Sequence, residues 1–421
     1  MHTTSKNSDR HTRLDRRSSS EAQPNPSQID ALTGIRGFAA LWVMLLHLQY
    51  YRPHGILGLP GLRHLIGDGW LAVDLFFVLS GFIMMHVHGR DFIAPTLARA
   101  RRFYALRFIR IYPAHFVVLL LHVPLFLLAL RMGAAISHSA YSTRSFVLSL
   151  LMLNGWGFPG SEGWNVPSWS VSSEWFAYLL FPIIAMVIHR VRTQRRVLIS
   201  GALILVIAWL IGGIVSHWTK YMLPFSGVLV RVTTEFSLGC LAYRFYTKPL
   251  EPRIAERVAE LSVATIVLVS VLALPATFNV LTIAAFVTLI VGLSRAIGPL
   301  GSAMKSRMSV YLGRISYSAY IVHALVLAVY SRALRLLPAQ PGLLIEFLIV
   351  LGFVALVILS AHILHSVVEE PARRWFRGAF LDRRAPRVRS AGSIAWLWND
   401  SDTEVRPRAW LTSRFSHRRP S

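Results

Sequence analysis

The chain has 421 residues, of which 54% are apolar and 15% charged, and it carries a formal net charge of +24. Many apolar runs approach the ~20 residues that cross a ~30 Å hydrocarbon core, which marks an integral membrane protein and excludes a soluble globular enzyme. The bases sit in tails and short connections rather than along one face of a soluble domain, which argues against nucleic acid as a partner.

Residues 1–28 are polar, rich in Ser, Arg and Asn, and contain no apolar stretch of the kind that a cleavable signal needs. They are expected to form a disordered cytoplasmic tail. Run length and polar breaks predict about ten membrane-spanning helices, at about 31–50, 70–88, 112–130, 168–188, 197–215, 225–245, 258–274, 278–294, 310–330 and 343–366. The break at Pro275-Ala-Thr-Phe-Asn is short, so a re-entrant hairpin is the alternative for the two spans that flank it. Orientation follows from Lys and Arg, which keep short loops on the cytoplasmic side. The connection 89–111 holds Arg90, Arg99, Arg101, Arg102, Arg107 and Arg110, and 189–196 holds Arg190, Arg192, Arg195 and Arg196. The alternate loops hold fewer bases, so both termini are assigned to the cytoplasm. Cys240, the single cysteine, lies inside an apolar run and reads as a buried, inert thiol. After a membrane domain of 29–377, the basic segment 378–421, with its apolar patch Ala395-Trp-Leu-Trp398, is expected to be a disordered cytoplasmic tail that touches anionic lipid. The fold class is an all-α, polytopic membrane helix bundle.

The first span, IDALTGIRGFAALWVMLLHLQYY, carries Arg36 near its start and His47 well inside its apolar run. Eleven residues at ~100° each return to within ~20° of the starting direction and rise ~16 Å, so the two share a face at different depths. An ionised group in the bilayer is costly unless it faces a partner or a wet cavity, which makes both functional candidates. The structural alternatives are a snorkelling anchor for Arg36 and an interhelical hydrogen bond for His47. Asp74, about one turn into a helix entering from outside, and Glu174, about two turns into another, fall near the depth of His47. Glu235 in RVTTEFSLGC and His323 in SYSAYIVHALV fall nearer the middle. Together these residues point to one polar cavity crossing the bundle.

Seven segments in order, IDALTGIRGFAALWVMLLH, WLAVDLFFVLSGFIM, ALRFIRIYPAHF, WNVPSWSVSSEWFAYLLFP, EFSLGCLAYR, LGRISYSAYIVHALV and VVEEPARRWF, resemble the acyltransferase-3 family of bacterial membrane acyltransferases. The resemblance runs through nearly all of the membrane part. The family's pattern of Arg and His separated by ten residues falls on Arg36 and His47, and its basic motif before Tyr-Pro falls on Arg107 and Arg110. Its second-span Asp matches Asp74, and the Glu of its Trp-Ser…Glu motif matches Glu174. Phe176 and Ala177 stand where members often have Gln and Phe, and His115 where Tyr is common; these departures bear on substrate detail.

The resemblance implies an enzyme of the bacterial cytoplasmic (inner) membrane. It would pass an acyl group, most often acetyl, from acyl-CoA (acetyl-CoA) to a hydroxyl of a carbohydrate such as an exopolysaccharide, an O-antigen or a lipid-linked sugar. No metal is called for, and glycan-assembly proteins are candidate partners. Arg107 and Arg110, with Arg102 beside them, would hold CoA phosphates through forked donors. His47 is the base for the attacking hydroxyl, because a neutral imidazole takes a proton without a standing charge in lipid. Asp74 or Glu174 would be its acidic partner, and Arg36 would hold the thioester end of the donor or neutralise a buried acid. A covalent acyl-imidazole on His47 is the alternative to general-base catalysis. Trp169, Ser173, Glu235 and His323 would line the acceptor side. Ser80-Gly81 reads as a close helix contact, and Ser316 and Tyr317 as interhelical bridges. The rival function is a transporter or flippase, since intramembrane acids, a histidine and arginines also mark solute and proton pathways. The lack of an internal repeat and the basic stretch Arg99–Arg110 weigh against it.

Overall fold

The computed structural model describes residues 29–133, 141–161, 163–216, 227–337 and 342–381. The tail expected at 1–28, and that at 378–421 beyond residue 381, lie outside them. Among the described residues every regular element is helical and none is a strand. In order they are α1 (Asp30–Tyr51), α2 (Leu62–Gly67), α3 (Ala72–His88), α4 (Leu97–Arg131), α5 (Thr143–Leu150), α6 (Ser168–Arg190), α7 (Gln194–Ser216), α8 (Val228–Tyr246), α9 (Pro252–Val271), α10 (Asn279–Leu293), α11 (Pro299–Lys305), α12 (Arg307–Leu334), α13 (Leu343–Leu364) and α14 (Glu370–Phe376). A π-helical turn, His365–Glu369, joins the last two.

Each predicted span coincides with a helix. Among the described residues eight helical stretches are long and apolar enough to cross a membrane, which makes the chain a multi-pass membrane protein. Helices α8 and α9 stand apart because of their charge. Arg231, Glu235 and Arg244 lie in α8, and Arg253, Glu256, Arg257 and Glu260 in α9. Arg231 and Glu235 point into the bundle and are almost wholly buried. Glu256 is also buried, and its carboxylate accepts backbone N–H groups of Gly298 at 2.9 Å and Leu300 at 2.6 Å, so it ties α9 to the start of α11.

The basic stretch 97–111, expected as part of a loop, is instead the start of α4. Thr96 caps it by accepting the Arg99 N–H at 3.3 Å, and nothing between Leu97 and Tyr112 breaks a helix. Pro113 and Pro124 are carried inside the helix, where neighbouring helices compensate the lost hydrogen bonds. Its 35 residues span about 52 Å, more than the hydrocarbon core. Arg101 and Arg102 are exposed near the start of α4, whereas Arg107 and Arg110 lie further along, within the bundle.

Small residues let the helices touch. A Cβ on Gly239 of α8 would run into the Val78 carbonyl of α3, and one on Gly81 of α3 into the Phe236 carbonyl of α8. The same holds between α1 and α12, where Gly313 presses on the Thr33 carbonyl and Gly37 on Leu312. Without a hydrophobic force between helices in lipid, such close backbone contact supplies the packing energy. Cys240, fully buried beside this crossing, donates its thiol to the Gly81 carbonyl at 3.2 Å.

Two connections turn back into the bundle. Trp42 lies nine residues before Tyr51, about 14 Å down α1, yet its indole donates to the Leu65 carbonyl at 2.7 Å. Gln49 donates to the Leu57 and Arg63 carbonyls at 2.6 and 3.1 Å, fixing the same segment. In the second connection, Asn165 donates to the Ile321 carbonyl at 2.9 Å, and the Tyr320 hydroxyl donates to the Pro167 carbonyl at 3.2 Å. Irregular backbone at this depth is sustained only by protein partners or a cavity. The second segment also holds Met152 and Trp164 at φ 53° and 51°, a strained conformation for residues with side chains.

Replacing Gly239 with Val should destabilise the protein by about 1–3 kcal/mol through overpacking. The thermal unfolding midpoint in detergent should fall, whereas Gly201→Ala, inside α7 with nothing near the added carbon, should not lower it.

Candidate active site

His47 and Arg36 lie on the face of α1 that looks into the bundle, about 16 Å apart along the axis. Around His47 the surroundings are aromatic. Its ring lies 4.9 Å from that of His323 on α12, centroid to centroid, and 5.9 Å from that of Tyr50. The Nδ1–H of His47 donates to the Val43 carbonyl at 2.8 Å, and this bond sets the tautomer that leaves the Nε2 lone pair free.

The acids expected to partner His47 are engaged elsewhere. Asp74 pairs with Arg231, whose Nε donates to Oδ1 at 2.6 Å and whose Nη2 binds the same oxygen. Arg231 also reaches Glu235 at 3.5 Å, so one guanidinium serves two carboxylates. It stacks 5.3 Å from the Trp70 ring and 6.0 Å from the Trp169 ring. The reason is depth. The first inward-turning connection presses Gly69 against Trp42, so α3 starts deep and Asp74 lies a further turn down, below His47.

Glu174 lies deeper still, in the company of Arg36. Its Oε1 accepts the Ser80 hydroxyl at 2.6 Å and the Tyr178 hydroxyl at 2.5 Å. Arg36 is within electrostatic reach of Glu174, Tyr178 and Arg373, and makes no hydrogen bond or ion pair among the described residues. Arg107 donates to His88 Nε2 at 3.2 Å, and its own Nε has no hydrogen-bond partner there. Arg110 pairs with Glu369 and sits 5.6 Å over the Tyr317 ring. Glu369, in the π-helical turn, also accepts from Ser318 at 2.8 Å and lies 3.1 Å from His365 Nδ1. Tyr317 bridges helices as expected, donating to the Ile111 carbonyl of α4. Arg36 and Arg110 are half-buried and lie within electrostatic reach of each other.

Three predicted residues remain. Arg102 is exposed near the start of α4, within electrostatic reach of Asp91. Ser173 is fully buried, with its hydroxyl 3.2 Å from the Gly155 carbonyl and 2.9 Å from that of Trp169, so it pins the second inward-turning connection. Trp169 is half-buried beside Arg231, and its ring centroid lies 6.4 Å from that of Phe77. Sequence reasoning missed Arg231, Tyr178 and Glu369. Arg231 and Tyr178 each had a signal, a position four residues from an acid on one helix face, Glu235 and Glu174 in turn. Among the described residues no group of three or more His, Cys, Asp or Glu side chains could hold a metal ion.

A polytopic bundle of helices that holds arginines, acids and a histidine in its interior defines a membrane protein that works on polar ligands. The model of the acyltransferase domain matches residues 29–363, and the chain belongs to that acyltransferase family. It is an enzyme, and the transporter reading falls away. Among its relatives, Acyltransferase MdmB of Streptomyces mycarofaciens is 28% identical over 402 residues, covering 86% of this chain and 95% of that one. Exopolysaccharide production protein ExoZ of Rhizobium meliloti is 29% identical over 63% of this chain and 78% of its own length. YrhL of Bacillus subtilis, named as a candidate peptidoglycan O-acetyltransferase, is 29% identical over 41% of this chain and 26% of its own. No solved structure matches the chain.

Arg231→Gln should leave two buried carboxylates without their cation and cost about 3–5 kcal/mol. Thermal unfolding in detergent should show a large loss for this variant, partly recovered in Asp74→Asn/Arg231→Gln.

Proposed function

We propose that the protein is an O-acyltransferase of the bacterial inner membrane, moving acetyl from acetyl-CoA to a hydroxyl of a carbohydrate presented at the membrane. The observation that carries this reading is the pairing, on one face of α1, of Arg36, within electrostatic reach of Arg110, with a histidine whose Nε2 is free. Lys and Arg distribution assigns the Arg36 end to the cytoplasm, where acyl-CoA is made. Arg107 and Arg36, which have donor capacity to spare, hold the donor's phosphates, so that its long pantetheine arm carries the thioester towards His47. Arg110, neutralised by Glu369, lies within electrostatic reach of Arg36, and Arg102 near the start of α4 raises the local concentration of the anionic donor.

His47 acts from the other end. As the carbohydrate hydroxyl attacks the thioester carbon, Nε2 takes its proton, and the thiol of CoA leaves. Glu174 offsets the charge of Arg36. Asp74 and Glu235 hold Arg231 beside Trp169, whose indole face offers the acceptor a stacking contact; Ser173 keeps the second inward-turning connection in place around it. A sugar on a lipid carrier is the acceptor best suited to short outer loops, and glycan-assembly proteins would deliver it. The names of ExoZ and YrhL support a glycan acceptor.

Cells carrying the wild type should show acetyl esters on an envelope glycan or lipid-linked sugar by mass spectrometry. His47→Ala and Arg36→Ala, at matched membrane abundance, should lose them. Unchanged acetylation in His47→Ala would remove it as the base. With purified protein, Arg107→Gln should raise KM for acetyl-CoA roughly tenfold, the loss of one charge-assisted contact.

A further inference from the structure

His47 and His323 stand at one depth on neighbouring helices, their ring planes crossing at 64°. Each donates its Nδ1–H to a carbonyl of its own helix, His47 to Val43 at 2.8 Å and His323 to Tyr320 at 2.5 Å, since a carbonyl can only accept. Both therefore carry their lone pair on Nε2. His47 keeps accessible surface, but His323 keeps none, and its Nε2 has no hydrogen-bond partner among the described residues. A buried acceptor without a donor is costly, and a native chain that keeps one calls for an explanation.

The base itself has a matching need. A histidine that takes a proton inside a membrane becomes an imidazolium, which is normally steadied by an acid. Asp74 is bound to Arg231, and Glu174 to Ser80 and Tyr178. The rings nearest to His47 are those of His323 and the exposed Tyr50.

We infer that His47 and His323 work as a two-histidine base, in which His47 takes the proton and the bare Nε2 of His323 shares the charge that results. This rests on the assignment of His47 as the base. The acceptor's O–H proton moves to His47 Nε2 while its oxygen bonds to the acyl carbon. The C–S bond then breaks, its electron pair leaves with sulfur, and the same proton passes from His47 to the thiolate. Between these transfers His323 stays neutral, because two adjacent imidazolium ions repel strongly where no water screens them. His323 touches no reacting atom in this scheme and is a positioning residue.

The test uses the full chain, purified into lipid nanodiscs, with acetyl-CoA as the probe and release of its thiol into water as the readout. His323→Phe keeps the bulk but has no lone pair, and its kcat should fall by at least about tenfold with KM for acetyl-CoA unchanged. His323→Gln places an oxygen near the position of Nε2 and should keep kcat within a few fold of wild type. If the Phe variant unfolds at the assay temperature, His323→Met takes its place. A Phe or Met variant at wild-type kcat, or a Gln variant as slow as Phe, would overturn the inference. In either case His47→Ala should be inactive; an active His47→Ala would instead bring down the assignment of the base. Wild type that releases no thiol from acetyl-CoA would overturn the donor and the inference with it.

Discussion

A charge inside a lipid bilayer has to be answered by another charge, by hydrogen bonds or by water, and the whole interior of this bundle is arranged around that demand. Arg231 answers Asp74 and Glu235, Glu369 answers Arg110, and Ser80 and Tyr178 answer Glu174. Arg231–Asp74, Arg110–Glu369 and Ser80–Glu174 join helices distant in sequence, whereas Glu235 and Tyr178 meet their partners within one helix. The ion pairs are thus the fasteners of the bundle as well as its polar lining. Arg36, the Nε of Arg107 and the Nε2 of His47 and His323 are among the groups left over, where the enzyme has binding or proton-accepting capacity to offer a ligand.

Much of this was legible in the sequence. Long apolar runs report helices because lipid demands them, and charged residues within those runs stand out for the same reason, so Arg36, His47, Asp74, Glu174 and Glu235 were visible at once. Partnership was less legible. Spacing along one helix says which residues share its face, as with Arg231 and Glu235, but nothing about which neighbour that face meets. Tyr178, four residues after Glu174, carries the same signal, whereas Arg110 and Ser318 come to Glu369 from other helices.

Depth was the other quantity misjudged. Counting turns from an assumed membrane surface placed Asp74 and Glu174 beside His47. The connections after α1 and before α6 do not stay at that surface; they descend into the bundle and carry the starts of the next helices with them. The polar and aromatic residues of 52–71 and 151–167 look like ordinary loops in sequence, and only their hydrogen bonds to Trp42, Gln49 and Ile321 reveal the descent. Similarly, the bases of 97–111 obey the rule for inner loops while forming the start of a long helix. Charge reports which side of the membrane a segment occupies, not whether it is coiled.

The neighbours Ser80 and Gly81 join two roles in adjacent residues. Gly81 lets α3 lie on α8 at backbone contact, and Ser80, next to it, donates to Glu174 on α6. The contact that assembles the helices therefore also sets where the counter-charge of Arg36 stands. A lineage drifting to a larger residue at this crossing would shift that charge as it loosened its packing. Robustness and chemistry are inherited here as one trait, and selection on either holds both.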